Sequence, residues 1–166
     1  MPNSKTFCIP PIKRLIEKYM PMGESTIVDP FSNTSCIANL TNDLDPSMPS
    51  IYHMDATDFL KTIDDSSVDM VLYDPPYSPR QVSESYKKFN RSVNMATTQA
   101  SYWAMQKREI ARIVKPGGTV ITFGWNSGGI GKKLVFEIIE ILLVAHGGWH
   151  NDTICTVEQK RAIAEL

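Results

Sequence analysis

Apolar positions in this chain come in two spacings, and the two alternate along its length. Ile12, Leu15, Ile16 and Tyr19 recur every three or four residues behind a proline, which predicts a short helix over Pro11–Tyr19, closed off by Gly23. Ala56–Ile63 (ATDFLKTI) reads as a second helix. A third runs from about Thr98 to Val114, with Trp103, Ile110 and Val114 on one face and Lys107 interrupting it. Between them lie β-type runs: Thr26–Asp29, Ile37–Leu44, a weaker Ile51–Met54, Val68–Tyr73, Thr119–Phe123, Phe136–Ala145 and Thr153–Val157. Lys115-Pro-Gly-Gly118 is expected to be the turn that ends the long helix, and Ile130–Leu134 a helical turn. Strands alternating with helices, then a final strand pair, predict one α/β domain over residues 1–166. Its sheet is expected to be mostly parallel with an antiparallel C-terminal strand. Residues 78–100 are polar and too long for an ordinary connection, so they are expected to form a loop that is either functional or mobile.

Composition narrows this picture modestly. With 166 residues, 42% of them hydrophobic, the chain can build one real core. No run approaches the roughly 18 apolar residues of a membrane span, and the first residues lack the charged-then-apolar order of a secretion signal. Cys8, Cys36 and Cys155 are odd in number and widely spaced, which suggests neither a disulfide framework nor a metal site. A reducing, cytoplasmic setting is the expectation.

The net charge of −1 hides a strong asymmetry. Nine acids face one base from Asp29 to Asp74, whereas eight bases face two acids from Ser78 to Lys115. Such a division separates a cofactor side from a polyanion side, unless Lys107, Arg108 and Arg112 merely solvate a helix.

The most informative stretch is Val68-Asp-Met-Val-Leu-Tyr-Asp74-Pro75-Pro76-Tyr77. It brings a carboxylate, two stiff prolines and an aromatic to the carboxyl edge of the sheet, where open α/β sheets bind ligands. The alternative is an ordinary strand-ending turn. Asp-Pro-Pro-Tyr after an apolar strand resembles the catalytic motif of amino-methyltransferases acting on adenine N6 or cytosine N4. The remaining segments follow that family's order over about residues 10–158. Val28-Asp29-Pro30-Phe31 resembles the first cofactor motif, Asn42-Asp43 the acidic end of the second strand, Met54-Asp55-Ala56 the next cofactor motif, and Lys115-Pro-Gly-Gly the turn before the fifth strand. The resemblance implies a Rossmann-like class I methyltransferase using S-adenosyl-L-methionine. The leading Asp favours adenine N6, since cytosine enzymes more often carry Ser there.

Chemistry accounts for the residue types. An aromatic amine is a poor nucleophile because its lone pair is delocalised into the ring. Asp74 and the Pro75 carbonyl can each accept one of its N–H groups and free that lone pair, Pro76 stiffens the turn, and Tyr77 can stack on a base extruded from a duplex. By position, Asp29 would meet the methionine ammonium of the cofactor, Asp43 the ribose hydroxyls, and Asp55 with Ala56 the adenine. Each aspartate has an alternative as a loop cap. The first turn, Phe31-Ser-Asn-Thr-Ser35, has no glycine, and Asn33 is the residue expected to take left-handed geometry in its place. Asp43 follows Asp29 by 14 positions, so the first helix must be very short or absent and cofactor affinity low.

No segment is long enough for a separate target-recognition region. Within residues 78–100, Arg80, Lys87, Lys88 and Arg91 would grip phosphates while Tyr86 and Phe89 contact bases, the loop ordering on DNA. A homodimer or a second subunit would otherwise supply recognition. Trp125 and Asn126, in the glycine-rich Phe123–Gly131 segment, are further candidates for contact with the base. His146 and His150 flank a glycine turn, and no metal is expected there. DNA is the expected substrate. The alternatives are RNA, a protein glutamine (whose enzymes more often carry Asn-Pro-Pro-Tyr), and a catalytically silent nucleic-acid-binding partner of an active enzyme.

Overall fold

The computed structural model describes residues 6–89, 100–147 and 151–162. After a 3-10 turn at Thr6–Cys8 the chain forms α1 (Pro10–Tyr19), β1 (Ile27–Asp29), β2 (Leu40–Thr41), α2 (Ala56–Lys61), β3 (Val68–Tyr73) and α3 (Pro79–Lys88). Then come α4 (Ala100–Ile113), β4 (Val114–Gly124), a 3-10 turn at Lys132–Leu134, β5 (Phe136–Val144) and β6 (Thr153–Lys160). The six strands form one sheet in the order β2-β1-β3-β4-β6-β5. β1, β2, β3 and β4 run parallel, while β6 is antiparallel to both β4 and β5. The antiparallel C-terminal strand expected from the sequence is β6, inserted inside β5, which forms the open edge.

The sheet is covered on both faces, so its central strands read as continuous apolar runs. In β3, Met70 and Leu72 face one side with Ile12, Leu15 and Ile16 of α1. Val68, Val71 and Tyr73 face the other with Phe59 and Leu60 of α2 and Ile110 and Ile113 of α4. Fully burying one such aliphatic side chain contributes about 1.5–3 kcal/mol. α1 ends at Tyr19 because Met20 precedes Pro21 and adopts the extended backbone that position favours (φ −57°, ψ 123°). Lys107, which interrupts the apolar face of α4, is half-buried, and the nearby buried Glu158 carboxylate attracts its ammonium.

Within the sheet, three elements differ from expectation. The strand predicted over Ile37–Leu44 shrinks to Leu40–Thr41 because the Asn39 side chain replaces ladder bonds, accepting from the Ile27 N–H (2.8 Å) and donating to the Ser25 carbonyl (2.6 Å). The weak strand at Ile51–Met54 is a single parallel bridge between Asn42 and Tyr52, since the Asn42 side chain takes the next amide, that of Met54. The turn expected at Lys115–Gly118 lies inside β4 as a bulge. Val68 and Met70 are paired with Val114 and Thr119, so the intervening residues loop out, with Gly117 at φ +81°. A Cβ on Gly118 would meet Val114 Cγ1 at 2.7 Å and the Lys115 carbonyl at 2.9 Å, so only glycine fits.

Connectivity places the site. From β1 the chain passes to β2 on one side and then to β3 on the other, making the gap between the carboxyl ends of β1 and β3 a topological switch point. Asp29 ends β1, and Asp74 follows β3.

Candidate active site

Both switch-point carboxylates are buried: Asp29 is 0% exposed and Asp74 is 4% exposed. Burial raises the Asp29 carboxyl well above its ordinary range, the Phe31 amide opposes this weakly, and the charges of Asp74 and Asp43 raise it further. Burial pushes Asp74 up to about 7, against the hydroxyls of Tyr77 and Thr6, which favour its anion. Asp29 Oδ1 accepts from the Phe31 amide at 3.1 Å, whereas its buried Oδ2 has no hydrogen-bond partner among the described residues. The Tyr77 hydroxyl donates to Asp74 Oδ1 at 2.5 Å. Burial and the Asp74 charge both push the Tyr77 hydroxyl upward, so it is a firm donor.

The other two aspartates are tied into turns. Asp43 Oδ2 accepts from the Asn33 amide (2.9 Å) and Oδ1 from that of Asp45 (2.8 Å). Asn33 sits at φ +50°, the left-handed geometry expected of it in the glycine-free turn, and no helix intervenes between β1 and β2. Asp55 caps α2 by accepting from the Thr57 amide (2.8 Å), and its second oxygen accepts from the Tyr86 hydroxyl. Each thus performs the loop-capping role weighed against cofactor contact. Asn42, named from the sequence only as the neighbour of Asp43 in its motif, ties these turns together: Nδ2 donates to the carbonyls of Pro30 and Met54, both at 3.1 Å, and Oδ1 accepts from the Met54 amide. A cavity of about 570 Å³ opens here, lined among others by Phe31, Asn33, Asp43, Asp55, Ala56 and Asp74.

The loop expected over residues 78–100 is a helix in its first half. Ser78 accepts the Gln81 amide as N-cap, Pro79 occupies the first turn, and Val82 and Tyr86 bury one face four residues apart. The cap, the proline and this spacing are all present in the sequence, so the signal was available. Residues 90–99, with Arg91, lie outside the described residues, as does His150. Among the predicted phosphate contacts, Arg80 is paired with Glu84 (2.8 Å) and Lys88 with Asp45 (3.4 Å), while Lys87 is exposed. Tyr86 faces the cavity rather than solvent, and with Tyr102 and Val82 forms a small core of its own. Of the predicted polyanion face, Arg112 holds the Leu60 and Ile63 carbonyls at the end of α2, and Lys115 holds Asp69 at 2.7 Å.

Around the motif, the Tyr77 ring meets Trp125 edge-on, centroids 5.4 Å apart, and Trp125 is 41% exposed. Asn126 is exposed and closes its own turn by accepting from the Gly128 amide. Two further side chains reach the motif. The Trp103 indole N–H donates to the Pro76 carbonyl at 3.0 Å, and Gln81 Oε1 accepts from the Tyr77 amide at 2.6 Å. Periodicity had put Trp103 on a helix face, since its partner Pro76 lies 27 positions away and meets it only through packing; Gln81 stayed unassigned because residues 78–100 read as loop, although Tyr77 is only four positions away.

No protein-family model matches this chain, and neither does any curated protein. Solved structures do resemble it. TrmN from Thermus thermophilus superposes with a TM-score of 0.58 at 16% identity over 95% of this chain and 53% of its own. For yhhF from Escherichia coli the values are 0.59 and 9%, over 92% and 85% of the two chains. A SAM-dependent methyltransferase from Methanosarcina mazei gives 0.54 and 10%, over 89% and 97%. The chain spans about half the length of TrmN, 53% of it. Likeness at such identities establishes architecture: the chain has the Rossmann-like α/β fold of the SAM-dependent methyltransferases.

Proposed function

We propose that this chain transfers a methyl group from S-adenosyl-L-methionine to the exocyclic N6 of adenine in DNA. The observation that carries the reading is the juxtaposition at the switch point. A buried carboxylate introduces an Asp-Pro-Pro-Tyr turn, beside a second buried carboxylate whose free oxygen lacks a partner among the described residues. A buried acceptor left without a donor costs about 1–3 kcal/mol, so such an atom fits a cationic or N–H-bearing ligand. An ammonium against Asp29 Oδ2 would meet that need, and the cavity of about 570 Å³ is of the size that holds a nucleoside cofactor. Asn33 in left-handed geometry lets the first turn pass close to a ligand without glycine. On this reading S-adenosyl-L-methionine occupies the cavity lined by Pro30, Phe31, Asn33, Asp43, Asp55, Ala56 and Asp74, and Asp29, which is fully buried and outside that lining, has to be uncovered for the ammonium to reach it. When bound, the cofactor supplies an electrophilic methyl group on a sulfonium.

Asp74 accepts one amine N–H and the Pro75 carbonyl the other, which withdraws the nitrogen lone pair from the ring. A carboxylate fixed in a dry site contributes most where positive charge develops, on the amine nitrogen. After methylation that nitrogen is strongly acidic, and Asp74, with its carboxyl near 7, can take the proton. In the structure the Tyr77 hydroxyl holds Asp74 Oδ1, the direction this reading gives to the amine. An incoming base therefore displaces that hydroxyl and leaves the Tyr77 ring, backed by Trp125, free to stack on it. On this reading Trp125, Asn126 and the exposed Lys87 contact the substrate, with Arg80 and Lys88 available once released from Glu84 and Asp45; Arg91 lies outside the described residues.

The test is transfer of labelled methyl from S-adenosyl-L-methionine to DNA, with products digested to nucleosides. Label on adenine N6 that falls about 100-fold or more in Asp74→Ala supports the reading. Label appearing only on RNA or protein keeps the chemistry and overturns the substrate. Absence of both transfer and cofactor binding makes the chain a silent partner.

A further inference from the structure

We infer that Trp103 and Gln81 are positioning residues that clamp one peptide plane of the Asp74–Tyr77 turn and so hold the Pro75 carbonyl in place. The inference rests on the methyl-transfer reading above. The Pro76 carbonyl and the Tyr77 amide belong to the same peptide unit, which is planar and rigid. Trp103 of α4 donates to its oxygen at 3.0 Å, and Gln81 of α3 accepts from its nitrogen at 2.6 Å. The plane is thus gripped at both ends by two helices that lie outside the motif.

The turn needs such a grip because of its own composition. Neither Pro75 nor Pro76 has an N–H to donate, so the backbone between Asp74 and Tyr77 has few means of holding itself. The same rings remove freedom by locking φ at both positions. Between the end of β3 and the clamped plane the soft torsions are φ and ψ of Asp74 and ψ of Pro75 and Pro76. With β3 fixed by its pairing with β4 and the plane fixed by Trp103 and Gln81, the Pro75 carbonyl between them has few accessible directions. The clamp also fixes the Tyr77 Cα, which belongs to the same plane, and with it the point from which the ring reaches Trp125. Neither clamp residue touches the amine. They act through the carbonyl that accepts its second N–H, where a misplacement of about 1 Å can cost about 100-fold in rate.

The experiment compares Gln81→Leu, Gln81→Glu and Trp103→Phe with wild type and Asp74→Ala. It reads kcat and KM for methyl transfer to an adenine-containing oligonucleotide, cofactor affinity by calorimetry, and amide hydrogen exchange at Tyr77. Gln81→Leu removes the acceptor, while Gln81→Glu keeps an oxygen for the Tyr77 amide. Trp103→Phe keeps an aromatic ring and loses the N–H. Gln81→Leu and Trp103→Phe are expected to lower kcat tenfold or more with KM and cofactor affinity within about threefold. Gln81→Glu is expected to retain kcat within about threefold. Tyr77 amide exchange should speed up at least tenfold in Gln81→Leu and stay slow in Gln81→Glu. If Gln81→Leu matches Gln81→Glu in both rate and exchange, the clamp is overturned while the reading of the site stands. Transfer absent from every form, wild type included, overturns the methyl-transfer reading and the clamp's catalytic role with it, even where the amide is protected.

Discussion

The two sides of the switch point use aspartate in opposite ways. On the β1–β2 side, Asp43 and Asp55 are spent on backbone amides and a tyrosine hydroxyl, and Asn42 ties the same turns together. At the ends of β1 and β3, Asp29 and Asp74 are deeply buried and shifted towards neutrality; Asp29 leaves one oxygen without a partner among the described residues, while Asp74 accepts from the Tyr77 hydroxyl. The first pair stabilises the fold whether or not a ligand is present. Burial of the second pair costs stability, and strongly perturbed carboxylates of this kind cluster at functional sites. Position at the end of a strand therefore does not separate the two pairs; depth of burial does, since Asp29 and Asp74 are buried while Asp43 and Asp55 are only partly so.

The largest expected effect that sharpens this contrast is on pH-dependent stability. An acid whose folded pKa exceeds its unfolded value binds its proton more tightly in the native state, so stability falls as pH rises between the two. For Asp74 that window runs from the ordinary carboxylate range, near 3.8, up to about 7. Asp74→Asn should flatten the slope and raise unfolding free energy at pH 8 by about 2–4 kcal/mol, measured in denaturant. Asp43→Asn should show no such gain; equal gains from both variants would erase the distinction between the pairs. Next in size is ligand binding. Asp29→Asn should weaken cofactor affinity by about 10–100-fold through loss of a buried charge pair, with Asp43→Asn clearly weaker in effect. Calorimetry showing the reverse order would move the ammonium site to Asp43. The smallest effect concerns the spent carboxylates alone. Asp55→Ala removes the α2 cap and the Tyr86 acceptor and should lower stability by about 1–2 kcal/mol. A stability change within about 0.3 kcal/mol would mean that these bonds are formed equally well in the unfolded chain.

Much of this was readable along the chain. Val68–Tyr73 is a strand with the predicted ends, because a run buried on both faces followed by two prolines allows little else. Asn33 took left-handed geometry as the glycine-free turn required. Lys107 and Arg112 were misjudged as surface charge because their partners, Glu158 and the end of α2, are remote in sequence. Residues 79–88 were read as loop because the segment is polar overall, although its cap and its Val82–Tyr86 pair marked a helix.

By itself the sequence determined the alternation of strand and helix, the carboxyl-edge placement of Asp29 and Asp74, and the stiffness of the Asp-Pro-Pro-Tyr turn. Those follow from local period, from proline, and from the side chains themselves. Only the tertiary structure decided which carboxylates are buried and which are tied into turns, that Tyr77 folds back on Asp74, and that Trp103 and Gln81 grip one peptide plane. Hydrogen-bond satisfaction and burial are properties of packed neighbours, and neighbours drawn from α3, α4 and three strands have no common signature in the order of the residues.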